Sequence, residues 1–240
     1  MGDMNSAFLP SDEELNIEIS KIQISENILG VWQKMVDVLS RVLHVDLSFI
    51  SNINRDISEF IVVDEENTHK HPVHQEFNIA GHYCEKTIKN KQKPHVVEDA
   101  SKSKQWKHML DYDDPYLSYL GYPVRWPNGV IYGTLCVVNH KSRNFKEIEM
   151  KLMTTYRDQV QSHLSILYKN EKLEQYVDIL RKKEEQIKKM KEVLPMCMYC
   201  NKIRDEDDEW HDLNIYLSNE IGKKVSHGVC PDCYQERFRE

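Results

Sequence analysis

Ser118-Tyr-Leu-Gly-Tyr-Pro-Val-Arg125, Trp126-Pro-Asn-Gly129 and Val130-Ile-Tyr-Gly-Thr-Leu-Cys-Val-Val138 run without a break, and their reading decides the fold. Two runs of β-branched and aromatic residues flank a Pro-Asn-Gly turn, chemistry that folds a chain back on itself as an antiparallel hairpin. Working upstream, residues 94–98 read as a strand, residues 101–110 as a short helix bearing Trp106 and His108, and residues 81–90 as another short helix. Residues 65–77 are polar and carry His69, His71 and His74, so they read as a loop. Residues 47–53 and 59–63 are two more β-type runs, split by a polar turn at residues 54–58. Ahead of them, Ser11-Asp-Glu-Glu14 has the form of a capping box, and Ile28, Val31, Trp32, Met35, Val38, Leu39 and Val42 follow in three-four spacing. The order is a helix, two strands, a ligand-sized insertion, then three more strands. It predicts an α+β domain with a largely antiparallel sheet flanked by helices.

The 240 residues suffice for one full domain and smaller attachments. A formal charge of −7 argues against a general nucleic-acid binder or an anionic-membrane binder. There is no apolar run of membrane-spanning length, and Met1-Gly-Asp-Met-Asn5 lacks a basic region followed by an apolar one, so neither a signal peptide nor a span is expected. Six cysteines, four of them in metal-binding spacing, suit a reducing compartment, and the expected location is the cytoplasm. Cys84 and Cys136, far apart in sequence, read as buried thiols.

Residues 145–193 contain neither proline nor glycine and are densely charged. Leu173, Val177, Leu180, Ile187 and Leu194 share one heptad stripe, interrupted by Glu184 and Lys191. Met153, Val160, Leu164 and Leu167 form a second stripe upstream, slightly out of phase. The pattern predicts one long helix that docks on the sheet domain and then continues as a two-stranded coiled coil holding a homodimer. The alternative is a solvated single helix packed on its own domain.

The most specific chemical signal is Cys197-Met-Tyr-Cys200 followed, after 29 residues, by Cys230-Pro-Asp-Cys233. A two-residue gap lets both thiolates of a pair turn onto one ion, and a tetrahedral zinc site needs two such pairs. Cys197, Cys200, Cys230 and Cys233 are therefore the expected metal ligands. Zinc is favoured, while spacing alone leaves an iron–sulfur cluster open. His227 stands close enough in sequence to replace a thiolate, to donate to a sulfur, or simply to pack beside Trp210. Four thiolates close the coordination sphere, so the metal is structural. Residues 195–240 hold six Lys or Arg against ten Asp or Glu, which disfavours nucleic acid and favours a protein partner for this small four-cysteine lobe.

Gly81-His-Tyr-Cys-Glu85, Pro94-His-Val-Val-Glu-Asp-Ala100, Trp106, Asp114 and above all the string from Ser118 to Val137 give residues 25–168 a resemblance to the GAF domain. The branch it resembles is found beside PAS domains and histidine kinases. The C-terminal cysteine segment is similar to a tail appended to PAS, GAF and receiver domains. The GAF resemblance implies a cytoplasmic sensor with a cavity on one face of the sheet, covered by residues 65–117, where a small molecule or haem binds. His82, Tyr83, Cys84, Trp106, His108, Tyr119 and Tyr122 are the residues it offers to such a ligand. Each has a plainer alternative, as a core aromatic or as a capping or surface histidine. Cys84 is followed by Glu85, whereas a histidine follows the bilin-attaching cysteine of phytochrome-type GAF domains. The expected division is a tail and helix start at residues 1–24, the GAF domain at 25–168, the coiled coil at 169–193 and the zinc lobe at 194–240.

No phosphate-binding loop, kinase nucleotide box, diguanylate-cyclase string or paired histidine–aspartate phosphohydrolase motif is present in the sequence. One GAF family, the free methionine-(R)-sulfoxide reductases, works through cavity cysteines, and only Cys84 and Cys136 are available for that role here. The expectation is a non-enzymatic sensor that relays ligand binding along the coiled coil to the zinc lobe. A pure assembly protein with structural zinc and a cysteine-dependent reductase are the alternatives.

Overall fold

The computed structural model describes residues 17–90, 93–111, 115–191, 195–205, 208–220 and 228–238. Ser11–Glu14, Asp114, Leu194 and His227, which the sequence singles out, lie outside them. The chain divides into two compact units, Met1–Tyr176 and Val177–Glu240.

In the first unit, α1 (Glu26–Leu43) leads into β1 (Leu47–Asn54) and β2 (Ile57–Val63), followed by β3 (Glu76–Asn78), α2 (Tyr83–Lys89), β4 (His95–Val97), β5 (Ser118–Arg125), β6 (Ile131–Asn139) and the part of α3 (Glu147–Lys191) up to Tyr176. The strands form one sheet in the order β3-β2-β1-β6-β5-β4, every neighbouring pair antiparallel. The β5–β6 hairpin closes as its turn chemistry requires. Trp126 N–H donates to Val130 O at 2.9 Å, Gly129 N–H donates to Trp126 O at 2.9 Å, and Gly129 takes a φ of 85° that a side chain would strain. Strand β3 falls at the end of the segment read as a loop. Its Glu-Phe-Asn sequence has no apolar alternation, and backbone pairing with β2 alone makes it a strand.

Alternation along the strands splits the interior into two cores. One face of the sheet carries Ile50, Val62, Leu120, Tyr122, Leu135 and Val137, packed with Trp32, Val36 and Leu39 of α1 and Met153, Val160 and Leu164 of α3. The stripe on α1 is centred on Trp32, Val36 and Leu39, which leaves Val31, Val38 and Val42 on its exposed flank. Trp32 Nε1 donates to His163 Nδ1 at 2.9 Å, tying α1 to α3. The docking stripe on α3 is thus the upstream one, and farther along the helix Leu173 and Val177 stand 59% and 44% exposed. The opposite face carries Leu47, Phe49, Phe60, Tyr119, Cys136 and Val138 beneath α2 and the connections around Trp106 and Met109.

The second unit contains a small hairpin, β7 (Ile203–Arg204) and β8 (Trp210–His211), then α4 (Leu213–Glu220) and α5 (Pro231–Phe238). Among the described residues, no helix is long and apolar enough to cross a membrane.

Candidate functional site

The second core is not filled to the top. Leu47 and Phe49 of β1, Phe60 of β2, Phe77 of β3, Tyr119 of β5 and Val138 of β6 line a cavity of about 280 Å³ with Tyr83 and Cys84 of α2 and His71, Gln75, His82, Met109, Pro115 and Tyr116 of the connections. Larger hollows lie beside Asp99, Lys102 and Arg143 (about 670 Å³) and beside Arg125, Arg157 and Asp158 (about 480 Å³). Those are polar surface grooves, whereas an apolar wall with a few convergent polar groups is the usual make-up of a small-molecule site.

The polar groups on this wall are few. His71 Nε2 lies 3.0 Å from the Tyr116 hydroxyl, and Tyr83 Oη donates to Tyr116 O at 2.9 Å. Burial pushes the Tyr83 phenol up to about 12. Burial, helped by nearby His108, holds the His82 imidazole below its ordinary range. The site therefore offers imidazole and hydroxyl hydrogen bonds to an uncharged, apolar or aromatic molecule.

Its floor is a buried polar chain. The Tyr119 hydroxyl sits 2.7 Å from Thr87 Oγ1 and 3.0 Å from Cys136 Sγ, and it donates toward Cys84 Sγ at 3.7 Å. Thr134 Oγ1 donates toward Cys84 Sγ at 3.8 Å and lies 3.0 Å from Ser51 Oγ. Gly121 makes this possible: it faces Cys136 across the β5–β6 ladder, and a Cβ built on it would fall 2.0 Å from Tyr119 Oη. The Cys136 thiol bonds to the Cys84 sulfur and is the main reason that the Cys84 thiol is held down against its burial. Burial pushes Cys136 and Tyr119 well up.

Of the residues singled out from the sequence, His82, Tyr83, Cys84 and Tyr119 line the cavity. Trp106 stands behind the wall, its ring 4.8 Å from that of Tyr83. His108 is exposed, with Nε2 2.9 Å from Gly81 O, outside the cavity. Tyr122 belongs to the opposite core and donates from Oη to Met150 O at 3.1 Å. Phe49, Phe60, Phe77, Tyr116 and Met109 were not singled out. Strand alternation marks Phe49 and Phe60 as sharing a face, but no local signal says which face is left hollow.

In the second unit, Cys197 and Cys200 sit on a tight turn closed by Cys197 N–H donating to Lys202 O at 2.8 Å and Asn201 N–H donating to Cys197 O at 2.9 Å. The backbone N–H groups of Cys200 and Tyr199, with the Cys200 thiol, hold the Cys197 thiol below its ordinary value. N–H groups aimed at a cysteine sulfur suit a metal-bound thiolate. Cys230 N-terminally flanks α5, and the side chain of Cys233 lies outside the described residues. Among the described residues, Asp205, Glu209 and His211 form a group whose ligating atoms lie within 4.8 Å of one another. Their geometry is that of a hairpin lock: Asp205 Oδ2 lies 2.5 Å from His211 Nε2, and Asp205 Oδ1 accepts from Glu209 N–H at 2.9 Å.

A six-stranded antiparallel sheet with α1 and α3 on one face and a hollow aromatic core beneath α2 on the other defines an α+β cavity domain. Residues 27–164, more than half of the chain, match the GAF domain, and the chain belongs to the GAF family. GAF domains are typically small-molecule-sensing signalling modules. Among solved structures, the blue-light-absorbing form of the Thermosynechococcus elongatus PixJ GAF domain is 15% identical over 67% of this chain and 98% of that one, with a TM-score of 0.51. The GAF domain of an Acinetobacter phosphoenolpyruvate-protein phosphotransferase is 18% identical over 61% of this chain and 87% of that one (TM-score 0.49). The fRMsr of Staphylococcus aureus in its reduced form is 14% identical over 61% and 89% (TM-score 0.47). At these identities the likeness speaks for the fold alone. No curated protein matches the chain.

Proposed function

We propose that the chain is a cytoplasmic signal-transduction module whose GAF cavity binds a small aromatic molecule and whose long helix relays the binding to a zinc-holding docking lobe. The observation that carries this is the cavity itself: about 280 Å³, walled by aromatic rings and furnished with imidazole and hydroxyl groups. That volume lies just under the usual range of about 300–1,000 Å³ for ligand pockets, which suits one or two rings better than haem or a bilin.

The relay rests on α3, which runs from Glu147 to Lys191 as a single helix. Leu173, Val177, Leu180 and Ile187 are exposed on it, and pairing with the same stripe of a second copy would bury them in a parallel coiled coil. The ligand shifts such a helix pair only insofar as it binds two helix arrangements with different affinity. In the second unit, Cys197, Cys200, Cys230 and Cys233 hold one structural zinc, supported by the sequence spacing and by the N–H groups directed at Cys197. Exposed Met198, Tyr199 and Trp210 suit a protein partner there. No catalytic step is assigned.

Metal analysis and an absorption spectrum of the purified protein, followed by thermal shift with single- and double-ring aromatics, test the proposal. The expected result is colourless protein with zinc in one-to-one ratio to chain and a melting temperature raised by some of the compounds. A haem or iron–sulfur spectrum, or turnover of a sulfoxide lost in Cys84→Ser, would replace it.

A further inference from the structure

The cavity floor holds two cysteines that the ligand-binding reading does not use. Cys84 comes from α2 and Cys136 from the middle of β6, and both are buried. The Tyr119 hydroxyl reaches both sulfurs, at 3.7 Å from Cys84 Sγ and 3.0 Å from Cys136 Sγ, and the Cys136 thiol is the main influence that holds the Cys84 thiol down. A lone buried thiol packs as a small hydrophobe. Two buried sulfurs gathered around one hydroxyl, one of them on the wall of a cavity, are placed for a disulfide to form between them.

We propose that Cys84 and Cys136 form a reversible dithiol–disulfide site that reacts with a small hydroperoxide admitted through the cavity. The inference goes beyond the binding of an aromatic ligand and does not depend on which ligand the cavity takes. In the first step the Cys84 sulfur attacks one peroxide oxygen. The S–O bond forms as the O–O bond breaks, and the departing hydroxide takes the thiol proton and leaves as water (an alcohol from an organic hydroperoxide). In the second step the Cys136 sulfur attacks the Cys84 sulfur. The S–S bond forms, the S–O bond breaks, and a second water leaves with the proton of Cys136. The two sulfurs lose two electrons in total, and the peroxide gains them.

The surroundings assign the order. Cys84 lines the cavity and receives hydrogen bonds from Cys136, Tyr119 and Thr134, a set that stabilises the sulfur anion as it attacks. Cys136 lies deeper, fully buried in β6, and suits the resolving role. The disulfide covalently ties α2 to the sheet and takes Cys84 out of the cavity wall as a hydrogen-bonding thiol, so oxidation and ligand occupancy act on the same wall.

The test is a peptide map of the full-length protein treated with hydrogen peroxide, alkylated under denaturing conditions and digested with trypsin. The expected product is a linked pair of peptides, residues 71–86 with residues 126–141, lighter by two hydrogens than their sum and separated again by dithiothreitol. In Cys136→Ser the linked pair is lost and dimedone labels Cys84 as the sulfenic acid. Three results would overturn the proposal: both thiols fully alkylated at peroxide doses that oxidise the C-terminal cysteines, Cys84 overoxidised without a link, or links that join either cysteine only to the tail. Thermal shift with aromatics, run on reduced protein, reads the ligand separately, so either idea can fail without the other.

Discussion

One methyl group at Gly121 tests the cavity floor. Because its Cβ would fall 2.0 Å from Tyr119 Oη, Gly121→Ala forces that ring off Thr87 and Cys136. Overpacking of this kind costs about 1–3 kcal/mol, and urea unfolding will show it as a lowered midpoint with an unchanged slope. His95 makes a second residue-scale prediction. Its ring packs 5.3 Å from that of Trp106 and 5.7 Å from that of Tyr119, Nε2 is buried without a partner, and burial with the charge of Lys86 holds the imidazole down to about 4. Above about pH 6.5 neither state is protonated and the full stability is present. Between there and pH 4 the unfolded chain binds a proton that the native one refuses, so stability falls as pH falls. Urea midpoints across that window will show the slope, and His95→Phe will reduce it; His82 and His163, also held low by burial, will keep part of it. Tyr119 and Tyr122 show what was legible at this scale. Three apart on one strand, they must face opposite sides, yet only the packed structure says that the hollow lies on the side of Tyr119. Cys136 was legible as a buried thiol, but its meeting with Cys84 depends on how α2 lies across the sheet, which no local pattern encodes.

At the scale of elements, α3 carries two kinds of apolar position on one helix. Leu164 is fully buried in the sheet domain, whereas Leu180 is 37% exposed. Leu164→Ala will therefore cost about 2–5 kcal/mol at any protein concentration. In the proposed coiled coil, where a second copy buries this stripe, Leu180→Glu will leave the unfolding of the GAF domain unchanged and turn a dimer into a monomer by sedimentation. A monomeric parent protein would remove the relay. The helix and both stripes were legible because charge density and the lack of proline and glycine extend over dozens of residues. The β5–β6 hairpin was legible from its turn. Strand β3 was not, since Glu76-Phe-Asn78 owes its state to pairing with β2 rather than to its own residues.

At the scale of the molecule, the two units make separable predictions. If the proposed zinc site holds, stripping metal with a chelator will release zinc and unfold the C-terminal unit, because metal binding supplies the folding energy of a lobe with little core of its own. The cavity domain, with two cores of its own, will keep its melting transition. The GAF family was legible because the hairpin string is long and specific, whereas the ligand was not, because a cavity is a matter of what the packed residues leave empty. The most direct measurement is saturation binding of single- and double-ring aromatic fragments, followed by NMR, to the parent protein and to Met109→Trp, which fills the cavity from its wall. Saturable binding to the parent, lost in Met109→Trp while the fold is kept, is the predicted result; binding that survives the filled cavity, or no binding by the parent at all, would contradict it.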